Sequence, residues 1–99
     1  MAFEKVASLS EINPTKYVSV NGKDLALFKA EGKVYCIDNA CTHAMGPLSE
    51  GTVEGTKVTC PWHSAQFDIT TGKVLSSPAR EDVTSYKVKV EGEDVYVDV

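Results

Sequence analysis

Two compact pairs of metal-ligating side chains constrain this chain more than any other feature. They are Cys41-Thr42-His43 and Cys60-Pro61-Trp62-His63, with residues 44–59 between them. Each pair puts one thiolate and one imidazole within a few residues, so a tight turn aims both at one centre. Four such donors complete a tetrahedral zinc site, or hold a two-iron cluster through two Cys and two His. The pairs use both His of the chain and two of its three Cys, which favours a metal site over coincidence. Zinc knuckles and fingers prefer C-x-x-C, or C-x-x-C followed by H-x-x-x-H. Here C-x-H followed by C-x-x-H gives one thiolate and one imidazole per loop. That symmetry suits a [2Fe–2S] cluster with two thiolates on one iron and two imidazoles on the other, and zinc stays open as the alternative.

Ninety-nine residues make one domain whose core alone gives marginal stability. A metal centre tying two loops together would help, because site formation is then coupled to folding. Ten basic against fourteen acidic side chains give a net charge of −4 with no basic patch, which argues against nucleic acid or an anionic membrane as partner. The opening MAFEKVASLSEI carries Glu4 and no long apolar run, unlike a signal peptide or anchor. No stretch approaches transmembrane length, and a cytoplasmic location is expected.

The chain reads as all-β, built of short strands and turns. Residues 3–7 predict a first strand, and residues 9–14 a loop or short helical turn ended by Pro14. Asn21-Gly22 between the alternating runs 17–20 and 23–28 predicts a tight hairpin. Glu31-Gly32 turns the chain into residues 33–38, so three antiparallel strands precede Cys41. Gly46, Pro47 and Gly51 predict a rigid loop without regular structure. Residues 52–54 and 57–59 form a small hairpin around Gly55 that leads into Cys60. Residues 66–68 and 73–75 flank Thr70-Thr71-Gly72 in the same way. The runs 83–90 and 94–99 alternate polar and apolar around Glu91-Gly92-Glu93 and close the base. The expected architecture is small antiparallel sheets or a partly open barrel, with the ligand loops at hairpin tips in an inserted subdomain. Residues 1–38 and 76–99 would form the base sheets, and 39–75 the cluster-binding subdomain.

With these residues in view, the chain resembles the Rieske iron–sulfur proteins in their soluble ferredoxin form. The likeness runs through Gly46-Pro47-Leu48, Ser49-Glu50-Gly51, Cys60-Pro61-Trp62-His63, Gln66-Phe67-Asp68, Thr71-Gly72-Lys73-Val74 and Ser77-Pro78-Ala79 into the closing strands. It implies one [2Fe–2S] cluster with Cys41 and Cys60 on the buried iron and His43 and His63 on the solvent-facing one. High-potential members of the family carry a second Cys in each loop, joined as a disulfide; the matching positions here are Gly46 and Trp62. They also carry hydroxyls where this chain has Ala65 and Phe67. Each missing donor leaves more negative charge on the cluster, which places the expected potential in the lower part of the Rieske range of about −150 to +300 mV.

The resemblance is to the ferredoxin component of aromatic-ring hydroxylating dioxygenases. It implies a one-electron carrier, not an enzyme, between an NAD(P)H-dependent flavoprotein reductase and a terminal Rieske non-haem iron oxygenase. A small Rieske subunit of an assimilatory nitrite reductase and a zinc-stapled structural module are the alternatives. Supporting roles fall to three residues. Trp62 is expected to pack over the subdomain and exclude water. Pro78 would sit in a covering loop, or in a plain turn. Ser64 stands where such ferredoxins have Gly, and costs roughly 1 kcal/mol or more if that backbone angle is reserved for Gly. Cys36 is expected as a small buried apolar residue, Met45 as a packing or surface residue, and Glu50, Glu54, Glu81 and Asp82 as a solvated face, with an acidic rim for transient docking near the histidines as the alternative. There is no Ser/His/Asp arrangement, phosphate loop or paired carboxylate to suggest substrate chemistry.

Overall fold

Four consecutive residues, Leu25-Ala26-Leu27-Phe28, have no exposed surface. Successive side chains of a strand point to opposite faces, so the sheet that holds them must be covered on both sides. They lie in the third strand of a computed structural model that describes residues 3–42, 46–62, 64–77 and 79–99. The readings of His43, Met45, His63 and Pro78 fall outside the described residues.

The strands run β1 (Phe3–Ser8), β2 (Thr15–Val20), β3 (Lys23–Ala30), β4 (Lys33–Asp38), β5 (Thr52–Glu54), β6 (Lys57–Thr59), β7 (Gln66–Asp68), β8 (Val74–Ser76), β9 (Ser85–Tyr86), β10 (Val88–Glu91) and β11 (Asp94–Asp98). Single 3-10 turns occupy Leu9–Glu11 and Leu48–Glu50. The all-β expectation holds, as three separate antiparallel sheets and not a closed barrel: β1-β11-β10, β2-β3-β4-β9 and β5-β6-β7-β8. No helix among the described residues is long and apolar enough to cross a membrane.

The central sheet β2-β3-β4-β9 separates two cores. Leu25, Leu27 and Cys36 face Ala7, Ile12, Val95 and Val97, the side of the β1-β11-β10 sheet. Ala26, Phe28 and Ile37 face Leu48, Val58, Phe67 and Ile69, the side of the β5–β8 sheet, and the same core holds Cys41 and Cys60. Each large side chain buried in this way contributes about 1.5–3 kcal/mol, so both outer sheets depend on the middle one.

The hairpins follow local chemistry. Asn21 and Gly22 have φ of 51° and 78°, and Glu31 and Gly32 have 53° and 76°, the left-handed pair that a two-residue turn requires between twisted strands. Two expectations change. The loop after Gly46 contains a 3-10 turn, because Leu48 is buried and its N–H reaches the Asn39 carbonyl at 2.7 Å while that of Ser49 reaches Asn39 Oδ1 at 2.9 Å. The alternating run 83–90 is two strands in different sheets: Cys36 and Ile37 of β4 pair with Tyr86 and Ser85, whereas β10 pairs with β11.

The segment between β8 and β9 crosses from the ligand-side sheet to the central one and is fastened at both ends. Asp82 Oδ1 accepts the Val74 N–H at 2.9 Å, and the Gly72 carbonyl accepts the Val83 N–H at 2.9 Å. Asp38 then takes the Thr84 N–H at 3.2 Å and the Tyr86 hydroxyl at 2.7 Å. Gly72 has φ of 80°, and a Cβ there would run into the Val83 carbonyl. Gly72→Ala therefore combines left-handed strain with a backbone clash, and is expected to cost at least about 2 kcal/mol in urea unfolding; an unchanged midpoint would refute this packing.

Candidate metal centre

Both ligand loops are closed by the same device. The Cys41 N–H donates to the Gly46 carbonyl at 2.8 Å, and the Cys60 N–H donates to the Ala65 carbonyl at 2.7 Å, so each bond spans five residues. The second loop is the tip of the β6–β7 hairpin, with Thr59 opposite Gln66. The first is pinched at its base by an antiparallel bridge between Ala40 and Pro47.

The two loops bring their cysteines together. Cys41 and Cys60 are buried in the same apolar core, 0% and 1% exposed. Burial pushes the Cys60 thiol up to about 11; the Trp62 N–H, 3.4 Å from its Sγ, pulls it partly back, and the neighbouring Cys41 thiol raises it again. A neutral Cys60 thiol suits this core, and a bound metal would displace its proton. Two adjoining sulfurs delivered from separate loops are what the thiolate side of a two-Cys, two-His cluster demands, so the donor chemistry fits the group. His43 and His63 lie outside the described residues.

Gly46 and Trp62, matched in the sequence to a disulfide pair, do face one another. A Cβ on Gly46 would lie 2.7 Å from Cys60 Sγ, 3.1 Å from Trp62 Cγ and 3.2 Å from Trp62 Cβ. Only glycine leaves room there. Trp62 packs at its root, and the residue remains 49% exposed. Ala65 and Phe67 are fully buried and bring no hydroxyl. Ser64 is exposed with φ of 62°, the left-handed angle that favours glycine.

Sequence reasoning missed the brace on the first loop. Thr42 Oγ1 donates to the Glu81 carbonyl at 2.7 Å, joining the residue after Cys41 to the crossing segment; no periodicity signals such a bond. The acidic residues Glu50, Glu54 and the adjoining Glu81 and Asp82 lie in separate segments of the chain. All four are exposed, but Glu54 ends β5 at the far end of β6 from Cys60, and Asp82 caps the Val74 N–H. Cys36 sits in the other core, 1% exposed, where burial and the Asp38 charge push its thiol up to about 12. It is the inert apolar residue expected.

Residues 2–87 match the family described as Rieske [2Fe-2S] domain. The ferredoxin component of the naphthalene 1,2-dioxygenase system of Pseudomonas aeruginosa is 43% identical over 82 residues, 83% of this chain and 79% of that protein. The ferredoxin of carbazole 1,9a-dioxygenase from Nocardioides aromaticivorans IC177 superposes with a TM-score of 0.91 at 29% identity, covering 98% and 97% of the two chains. The structure titled as a complex of reduced oxygenase and oxidised ferredoxin in carbazole 1,9a-dioxygenase matches with a TM-score of 0.88 at 33% identity, covering 96% of this chain and 91% of that one.

The left-handed angle of Ser64 costs a non-glycine residue about 1–3 kcal/mol, more than the 0.4–1 kcal/mol of chain entropy that glycine adds to the unfolded state. Ser64→Gly is therefore expected to stabilise the protein by about 1 kcal/mol, measured by chemical unfolding. The cluster potential should stay where it is; a drop would show instead that the Ser64 hydroxyl donates toward the cluster.

Proposed function

The chain belongs to the Rieske [2Fe–2S] domain family, and on that premise we propose that it is the one-electron carrier of an aromatic-ring dioxygenase system. It takes electrons from an NAD(P)H-dependent flavoprotein reductase and delivers them to a terminal Rieske non-haem iron oxygenase, in the cytoplasm. It is an electron-transfer component and not the oxygenase. Its cofactor is one Rieske-type [2Fe–2S] cluster, which when bound takes up and releases one electron at a time. The relatives above support the oxygenase as partner, since they are ferredoxin components of dioxygenase systems and one is solved together with an oxygenase. They do not favour the nitrite reductase alternative.

In this reading Cys41 and Cys60 hold the buried iron, and His43 and His63 hold the other. Residues 1–99 form one domain, with 39–75 as the cluster-binding subdomain between base segments 1–38 and 76–99. The observation that carries the proposal is the meeting of the Cys41 and Cys60 thiols in one apolar core, beneath two loops closed by the same five-residue hydrogen bond. Burial of both sulfurs keeps water off one side of the site. Ala65 and Phe67 offer no hydroxyl, so negative charge in the site goes without those two donors. The reduced, more negative state is thereby stabilised less than in relatives that have them.

Absorption and low-temperature EPR spectra before and after dithionite test the reading. A brown protein with a rhombic signal, average g below the free-electron value, is expected; a colourless protein holding one zinc per chain would overturn it. The potential should fall in the lower part of the range of about −150 to +300 mV. Phe67→Tyr restores one donor, and one hydrogen bond of about 0.5–1.5 kcal/mol corresponds to about 20–65 mV for a single electron. Redox titration should show an upward shift of that size, and a downward shift would refute the charge argument.

A further inference from the structure

Five large apolar side chains stay exposed among the described residues: Phe3, Tyr17, Trp62, Leu75 and Val90. Four of them lie in strands, and only Trp62 sits in a ligand loop. Phe3 has Lys89 Nζ 5.1 Å from its ring centre, and the Tyr17 hydroxyl donates to Asp24 at 2.6 Å. Trp62 keeps about half its surface in water although its backbone and Cβ are fixed, by the bond to Cys60 Sγ and the contact with Gly46. A bulky aromatic held in place at its root loses little freedom when a partner covers it, which makes it an efficient anchor.

Position decides what covers it. Trp62 lies two residues from Cys60, inside the loop closed by the Cys60–Ala65 bond. A protein that exchanges electrons through these loops must approach them closely, and so must seat against the indole. The chain carries a net charge of −4, and Glu81 is tied by its carbonyl to Thr42 in the other loop. A complementary surface is then an apolar pocket with a basic rim, in which charge steers and the indole supplies the affinity.

We propose that Trp62 is the anchor by which the terminal oxygenase docks, its indole entering an apolar pocket of the oxygenase over the two ligand loops. This rests on the carrier reading above. Because the contact is apolar, its share of the affinity persists when salt screens the charges.

The test uses the cluster-loaded protein with two probes, the terminal oxygenases of the naphthalene 1,2-dioxygenase and carbazole 1,9a-dioxygenase systems. Trp62→Leu keeps apolar carbon against Gly46 and removes the outer ring, and Val90→Ala removes an exposed apolar group from the opposite outer sheet. The oxygenase that reduced wild-type protein reduces is then titrated at low and high ionic strength. For Trp62→Leu, Kd should rise by about tenfold or more at both salt concentrations, with EPR signal and potential as in wild type; Val90→Ala should leave Kd unchanged. A wild-type Kd for Trp62→Leu overturns the anchor and leaves the carrier reading intact, whereas a wild-type protein that reduces neither oxygenase overturns both. Trp62 is the one tryptophan of the chain, so 5-fluorotryptophan labelling gives a second readout without substitution. Its fluorine resonance should lose its H2O/D2O shift in the saturated complex; retention of that shift overturns the anchor.

Discussion

The middle of the central sheet, Leu25 to Phe28, has water on neither face, and the rest of the molecule follows from that. Leu25 and Leu27 need one outer sheet, and Ala26 and Phe28 need the other. A small chain rarely sustains two cores around one sheet. This one does so by making its outer layers short, three strands on one side and four on the other. The candidate ligand cysteines Cys41 and Cys60 belong to the second core, so a metal centre held by them would be built on the same apolar contacts that hold the fold. Forming one stabilises the other.

The paired loops show how sparse the machinery for presenting two thiols is. One N–H to carbonyl bond closes each loop, and both cysteines point into shared apolar surroundings. Between the loops, packing stands where relatives of higher potential have a covalent bond. Gly46 gives up its side chain so that Cys60 Sγ and the root of Trp62 fit against it. Such a joint is specific in shape and loses its fit with any larger residue.

The crossing segment makes the site and the base one mechanical unit. It is bonded to the first loop through Thr42 and Glu81, to the ligand-side sheet through Gly72 and Asp82, and to the central sheet through Asp38. Asp38 ends β4 just before the first loop begins. Burial, together with the hydrogen bond to Asp38, pushes the Tyr86 phenol well above its usual range, so it stays a neutral donor in this brace. Distortion of the base at Asp38 would therefore reach the loop that carries Cys41.

Much of this was legible in the sequence, wherever the governing physics is local. The spacing of Cys41, His43, Cys60 and His63 announced a metal centre because ligand chemistry depends on residue type and short separations. Asn21-Gly22 and Glu31-Gly32 fixed hairpins through their own backbone preferences, and Ser64 drew notice as a poor occupant of a glycine-like position. What the sequence left open depends on contacts between residues far apart in the chain. Alternation in residues 83–90 stays in phase while the strand changes sheets. The facing of Gly46 and Trp62 was available only by likeness to relatives, while the brace from Thr42 to Glu81 and the separation of Glu54 from the loops left no trace in periodicity. The sequence by itself determined the candidate ligands and the turns, because those are properties of short segments. Only the tertiary structure decided which surfaces those segments share, because burial and hydrogen bonding act across space.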